Sequence, residues 1–426
     1  MAISLIKNLA SLFWAEAFCK FITFAAFAYL AHLIGPAAFG YIEWAGTVVM
    51  CASLIVDQGF SAYGAREIAK SPLKAPRLVA EVITARFLLA GFAYAAIVIF
   101  TFRFVDDPII TSLLLVYGLS LWALPFLLQW VFQGHDLMHM VGFTQIIRQA
   151  AFALTVFVFV RTTGDLKWVG IAEVAGASLA ALFSVWMYRR YFKSGEWLRP
   201  TLSAKLFREG VPIGLSQMFW AAKMFGATFI VGLVATAEDT GYFAGAMRIY
   251  IALHTFVWLY FFNMLPSLSR AWVQGSEQMA GIIRHSVWIV TLASLLLGTV
   301  WITSAPFVMA GVYGTSFLPG GAALQWLAGA CIAAAYSGHY RYSLIAAGYQ
   351  GKEMLAMALG SAAAVVLVPV GYFIAGTGGA AAALFAAECI VLAGAWFLAK
   401  KHLFGPSSDR IAANKPPLTN LPGATR

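Results

Sequence analysis

The chain is built from long apolar runs, each close to the about 20 residues that a helix needs to cross a bilayer. Twelve can be read, over 11–34, 39–57, 77–101, 109–132, 140–160, 168–188, 209–234, 241–265, 283–304, 321–347, 354–375 and 379–399. Only 11% of the 426 residues are charged, against roughly 25% in a soluble domain. The pattern predicts an all-α integral membrane protein of about 12 transmembrane helices. The boundary over 305–320 is the least sharp, because Pro306, Gly311, Gly314, Pro319 and Gly320 interrupt the helical pattern. No cleavable leader is expected. Lys7 precedes the first run, but Glu16 and Lys20 sit inside it, and it continues past the length of a leader's apolar core.

Basic residues set the orientation. With the N-terminus in the cytoplasm, the cytoplasmic segments hold Lys7, Arg66, Lys70, Lys74, Arg77, the cluster from Arg189 to Arg208, Arg270, Arg284, Lys352, and Lys400 to Arg426. The opposite side holds only Arg103, Arg161 and Lys167. This asymmetry places both termini in the cytoplasm. It also accounts for the net charge of +10 without a nucleic-acid partner.

The longest internal connection, 191–208, divides the chain into an N-terminal six-helix bundle (1–190) and a C-terminal one (209–403), arranged pseudo-symmetrically around a central cavity. A cytoplasmic tail over 404–426, rich in Pro, Ser, Asn and Ala, is expected to be disordered. The halves read as parallel repeats. Gly40-Tyr41 opens the second run and Gly241-Tyr242 opens the eighth. The segment Phe132-Gln133-Gly134-His135-Asp136 has a counterpart around Ala347-Gly348-Tyr349-Gln350-Gly351, with Gly134 matched to Gly348.

Charges inside the runs point to function, because a lipid-facing helix does not keep an unpaired charge near mid-bilayer at about 2.5–3.5 kcal/mol each. The basic set is Lys20, Arg86, Arg148, Lys223, Arg248 and Arg341. Lys20, Arg86 and Arg148 lie about 13 Å from the cytoplasmic ends of their runs at 1.5 Å per residue. The acids are Glu16, Glu43, Glu81, Glu173 and Glu388, with Asp57 near an end. Glu16 and Lys20 are four residues apart and so share a helical face. Glu43, Thr47 and Asp57 share another. These residues either pair structurally or line a wet cationic cavity for an anionic head group. The tenth run carries Tyr336-Ser337-Gly338-His339-Tyr340-Arg341-Tyr342-Ser343. Tyr336, Tyr340 and Arg341 suit stacking on sugars or binding phosphate, or else form an interfacial aromatic belt.

Other motifs exclude more than they assign. Gly210–Gly214 and Gly241–Gly245 match GxxxG and predict close helix packing. Pro125 and Pro369 are expected to kink their helices. Cys19, Cys51, Cys331 and Cys389 lie singly in apolar runs and read as small buried hydrophobes. His135 and His139 are four apart, but no acid–histidine constellation supports a metal, so no metal site is expected. No Walker A motif and no catalytic constellation is present, so the chain reads as neither an ATPase nor an enzyme.

The run Ala31-His32-Leu33-Ile34-Gly35-Pro36-Ala37-Ala38-Phe39-Gly40-Tyr41, with Asp57-Gln58-Gly59-Phe60 and Tyr63-Gly64-Ala65-Arg66-Glu67-Ile68-Ala69, resembles the N-terminal signature of bacterial polysaccharide-transport flippases. These are the O-antigen and exopolysaccharide repeat-unit exporters, in the superfamily that also holds multidrug extruders and the peptidoglycan lipid flippase. Val312-Tyr313-Gly314 through Phe317-Leu318-Pro319 is similar to the family's segment before span ten. The resemblance implies a multi-pass protein of the bacterial inner membrane. It would move undecaprenyl-pyrophosphate-linked oligosaccharide across that membrane by alternating access, with other polysaccharide assembly proteins as partners. The family carries no catalytic motif to transfer, so the substrate-binding set stays Lys20, Arg86, Arg148, Lys223, Arg248, Arg341, Tyr336 and Tyr340. No cofactor is implied. A coupling H+ or Na+ would use Glu16, Glu43, Asp57, Glu173 or Glu388. A cation-coupled multidrug extruder is the first alternative, but the basic residues inside the runs favour an anionic substrate. A glycan polymerase or ligase is a second, and the short external segments disfavour it.

Overall fold

The computed structural model describes residues 2–192 and 199–404, with side chains from residue 17 onward except at 216, 220, 223 and 297. Residues 193–198 of the connection and 405–426 of the tail lie outside the described residues. Every apolar run lies on helix. The helices are α1 (Ala2–Asp57), α2 (Phe60–Lys70), α3 (Ala75–Phe104), α4 (Pro108–Gly118), α5 (Gln129–Gly134) and α6 (Met138–Phe159). They continue with α7 (Lys167–Phe192), α8 (Ala204–Val234), α9 (Ala237–Gln274), α10 (Ser276–Tyr313), α11 (Gly321–Ala346) and α12 (Gln350–Leu403). Among the described residues, nine segments are long and apolar enough to cross a membrane, or ten if the two arms of α8, bent by 63°, form one span.

That number is below twelve because α1 and α12 each hold two runs. Helix α1 is broken at Gly35 (φ 74°, ψ 175°) and α12 at Gly376 (φ 59°, ψ −146°). Both glycines occupy a backbone region that is essentially closed to other residues. Pro36 follows the first break at the opening of a new helix, where its missing N–H costs nothing. The fourth run is α4, a 3-10 stretch over Leu119–Phe126 that contains Pro125, and α5. Proline thus distorts that span as expected. Pro369 does not break α12; Ala375 and Gly376 do. Pro306 does not end α10 either, and the helix runs on to Tyr313 before Gly314 (φ 100°) breaks it. Gly321 packs directly on the Pro306 ring, so the proline takes part in a close helix contact.

Contacts group the chain into two compact units. Unit 1 is Met1–Gly245 with Met309–Pro319, and unit 2 is Ala246–Val308 with Gly320–Arg426. This grouping follows packing, whereas the six-plus-six division follows sequence repeat, so α8 falls with the N-terminal helices. The core of unit 1 includes Phe60, Tyr63, Val79, Val82, Trp130, Tyr188 and Leu206. In unit 2, Leu268, Trp272, Met279, Leu344 and Leu403 pack together.

Within unit 1 the matched glycines of the sequence meet face to face. A Cβ on Gly40 would fall on the carbonyl oxygen of Ala237, and one on Gly241 would fall on that of Pro36. Pro36 and Ala237 each lie one turn before their glycine, so the contact is reciprocal: equivalent positions of the two repeats exchange equivalent contacts, as across a two-fold axis. The Gly210–Gly214 pair of α8 takes the turn at Gln58–Gly59 in similarly close packing.

The second repeat match needs a correction. Helix α5 ends with Leu137 N–H donating to the Phe132 carbonyl (2.8 Å) and Asp136 N–H to the Gln133 carbonyl (3.1 Å). Helix α11 ends with Tyr349 N–H donating to the Leu344 carbonyl (2.8 Å) and Gly348 N–H to the Ile345 carbonyl (3.0 Å). Both are Schellman caps. Their left-handed residues are Asp136 (φ 60°) and Gly348 (φ 86°). The equivalent of Gly348 is therefore Asp136, not Gly134. Aspartate tolerates that conformation, so matching glycine to glycine misplaced the register.

Candidate functional site

Among the described residues, the polar side chains inside the helices include buried clasps and a more open cluster. One buried clasp is in unit 1. Asp57 ends α1 and accepts from the N–H (3.3 Å) and hydroxyl (2.9 Å) of Ser61 in α2. Arg86 of α3 reaches both residues through Nη2. Its Nη1 donates to the carbonyls of Leu124 (3.5 Å) and Leu127 (3.4 Å). These carbonyls sit at the end of the 3-10 stretch, where the Leu124 carbonyl also accepts from the Leu127 N–H (3.1 Å) and the backbone turns extended at Leu127. The Arg86 side chain is only 5% exposed. It therefore joins α1, α2, α3 and the broken fourth span, and an anion would have to displace Asp57 to reach it.

The open cluster is formed by α1, α6 and α7. Arg148 of α6 pairs with Glu173 of α7, with side chains 35% and 24% exposed. Gly176 lets α7 approach the Arg148 backbone closely. The Thr23 hydroxyl of α1 donates to Gln149 Oε1 at 3.0 Å. Lys20 lies one turn before Thr23 on the same face and is exposed. Arg148, Glu173, Gln149 and Thr23 thus lie where α1, α6 and α7 pack, with Lys20 one turn from Thr23 along α1. The half-exposed Arg148 guanidinium can accept a phosphate without first breaking a fully buried clasp.

Unit 2 arranges its polar groups differently. Arg341 of α11 donates from Nε (2.9 Å) and Nη2 (2.7 Å) to Glu353 Oε1 in the first turn of α12. The pair closes over the Schellman turn between those helices. The Tyr250 hydroxyl of α9 donates to Glu388 Oε1 of α12 at 3.1 Å, with both residues buried. The Tyr336 hydroxyl lies 2.7 Å from that of Thr291 in α10. Tyr340 packs against the Leu268–Leu344 core. The motif of the tenth run thus faces protein: Ser337, His339 and Ser343 are buried.

Of the remaining expected residues, Arg248 is half-buried on α9 and Glu43 is buried on α1 beside Thr47. The side chains of Glu16 and Lys223 lie outside the described residues. Sequence reasoning missed Ser61, Tyr250 and Glu353 as partners. Glu353 was the most findable, since it stands just past the turn that follows Arg341.

The first 272 residues carry a family match. A family model described as "Polysaccharide biosynthesis protein" matches residues 5–272. A putative O-antigen transporter of Shigella dysenteriae is 23% identical over 191 residues, covering 43% of this chain and 47% of that protein. The chain therefore matches about half the length of this curated relative. Among solved structures, an inward-facing multidrug resistance MATE family transporter of the MOP superfamily superposes with a TM-score of 0.70 at 14% identity, over 92% of this chain and 95% of that one. The lipid II flippase MurJ in an inward closed conformation gives a TM-score of 0.69 at 14% identity, over 92% and 87%. At such identity the two structures speak to the fold alone.

Proposed function

Since the chain belongs to the polysaccharide biosynthesis protein family, we propose that it is a flippase for polyprenyl-pyrophosphate-linked oligosaccharide repeat units. The observation that carries this reading is the open cationic cluster of Lys20 and Arg148 on membrane-spanning helices. A diphosphate head cannot leave water without cations to replace its hydration. The lipid tail can stay in the bilayer while the glycan and diphosphate pass through a wet path lined by these side chains. Glu173 holds Arg148 in position when no phosphate is present and gives way when one arrives. Arg86 and Arg341, held by carboxylates, serve as supports of the path rather than its lining.

On this reading the protein sits in the bacterial inner membrane with both termini in the cytoplasm, works by alternating access, and draws on a proton or sodium gradient. Glu43, Asp57, Glu173 and Glu388 are the described acids open to a coupling role. Deleting the gene should accumulate lipid-linked repeat units on the cytoplasmic leaflet and deplete surface polysaccharide. Normal surface polysaccharide in a clean deletion, together with lost drug efflux, would move the assignment to a multidrug extruder.

A further inference from the structure

His339 of α11 is fully buried. Its Nε2 lies 2.8 Å from Ser286 Oγ of α10, and its Nδ1 lies 3.3 Å from the Tyr336 carbonyl oxygen. Phe261 of α9 packs on the ring edge to face, with centroids 4.9 Å apart. Ser286 is buried too, and its hydroxyl is 2.7 Å from that of Tyr260 on α9. Tyr260 is exposed. With Ser286 it lines an open groove of about 480 Å³ between α9 and α10, together with Met264, Gln278, Ile282, His285 and Ile289. The groove adjoins the turn between the two helices. A continuous hydrogen-bonded file therefore runs from open space to a buried imidazole.

The chemistry of the ends fixes the direction of the file. A carbonyl only accepts, so Nδ1 carries the hydrogen and Nε2 of the neutral ring is the acceptor. Ser286 then donates to Nε2, and Tyr260 donates to Ser286. We propose that His339 is a proton-binding site filled from the groove through Tyr260 and Ser286, and that it holds the coupling proton of transport. A proton arriving at the groove adds to the Tyr260 oxygen. The proton of Tyr260 passes to Ser286, and that of Ser286 passes to Nε2. One proton enters, one N–H bond forms, both hydroxyls keep one hydrogen each, and both hydrogen bonds of the file reverse. Histidine is the side chain whose ordinary proton affinity suits such a task near neutral pH, and chains of this kind mark proton relays inside membrane helices.

The groups facing the ring make it a distinct charge switch. Helix α9 offers Tyr260 and α10 offers Ser286, with His285 beside it in the groove. Helix α11 itself offers Tyr336 and also Tyr342, which packs on the same Phe261 ring; the neighbouring Arg341 is paired with Glu353 of α12. A new positive charge at His339 thus appears where α9, α10 and α11 meet, and biases their packing in unit 2. Only the coupling role rests on the flippase reading; the proton site does not.

The test uses full-length protein labelled with 15N-histidine in liposomes, read by solid-state NMR. The His339 signal is the one among the seven histidines that disappears in H339Q. It should show a neutral Nδ1–H ring at about pH 8 and an imidazolium at about pH 5. Ser286→Ala and the exposed-site variant Tyr260→Phe should each slow its proton exchange several-fold. A ring that stays neutral throughout, or exchange unchanged in both variants, overturns the site. In the same liposomes loaded with a polyprenyl-pyrophosphate oligosaccharide, an imposed pH gradient should stimulate wild-type transport and have no effect on H339Q. Equal stimulation of both overturns the coupling role. A wild type that moves no oligosaccharide would instead fail the flippase reading, and the NMR result would still decide the proton site.

Discussion

Arg86 in unit 1 and His339 in unit 2 are both buried polar side chains on apolar helices, and each is kept in a different way. Arg86 is neutralised by a carboxylate and also donates to the Ser61 hydroxyl and two backbone carbonyls. His339 has hydroxyl and carbonyl partners, so its charge is free to change. A permanent charge in a membrane helix is tolerated when it repairs backbone that has lost its own hydrogen bonds. A group meant to change charge needs partners that can both donate and accept. The Arg148–Glu173 pair of unit 1 is 35% and 24% exposed, whereas the Arg341–Glu353 pair of unit 2 is 14% and 16% exposed.

The sharpest way to break this comparison is Arg86→Ala. It would leave Asp57 without its guanidinium partner and take a donor from the Leu124 and Leu127 carbonyls. A cost of about 3–5 kcal/mol is expected for breaking such a pair, seen as a large loss of folded protein in detergent and a lowered unfolding midpoint. A wild-type midpoint would mean that the clasp does not hold the broken fourth span. Next in size are Gly40→Ala and Gly241→Ala. Each added methyl meets a carbonyl oxygen of the partner repeat and should cost about 1–3 kcal/mol. Because the two glycines share one contact, the double variant should cost less than the sum; strict additivity in thermal unfolding would contradict a reciprocal contact.

In unit 2, Tyr250→Phe removes one neutral-donor bond to Glu388 and should cost about 1 kcal/mol, a smaller fall in midpoint than that of Arg86→Ala. A loss equal to that of Arg86→Ala would erase the contrast between the units. The smallest effect lies outside the spans. The Thr162 hydroxyl, with the backbone N–H groups of Arg161 and Thr162, holds the Asp165 carboxyl below its usual value. A lowered folded value means its contribution is present above about pH 4 and is lost as pH falls through that lowered value. The difference in midpoint between wild type and Asp165→Asn should therefore shrink on acidification, and a difference constant with pH would contradict it.

The helices were legible because composition alone forces apolar runs into helix inside a bilayer. Gly35-Pro36 marked its turn for the same reason, since few residues can reverse a chain there. Pro306 misled because its ring fits against Gly321, a long-range contact that no local pattern announces. Gly134 misled because aspartate can stand where glycine is expected. The charges were legible as a set but not in their roles. What separates Arg86 from Arg148 is the origin of their partners: backbone carbonyls from a 3-10 break in one case, a single carboxylate beside open space in the other. The inward-facing His339 file combines three helices, and its sequence motif gave only the imidazole and its aromatic neighbours.

The central claim is that the open cluster of unit 1 carries a lipid-linked pyrophosphate across the membrane. The direct test is flipping of a polyprenyl-pyrophosphate oligosaccharide in proteoliposomes by wild type and by the Lys20→Ala, Arg148→Ala double variant at equal protein level. Transport by wild type and its loss in the double variant is the expected result. Absence of transport in wild type, or equal transport by both, would contradict the account.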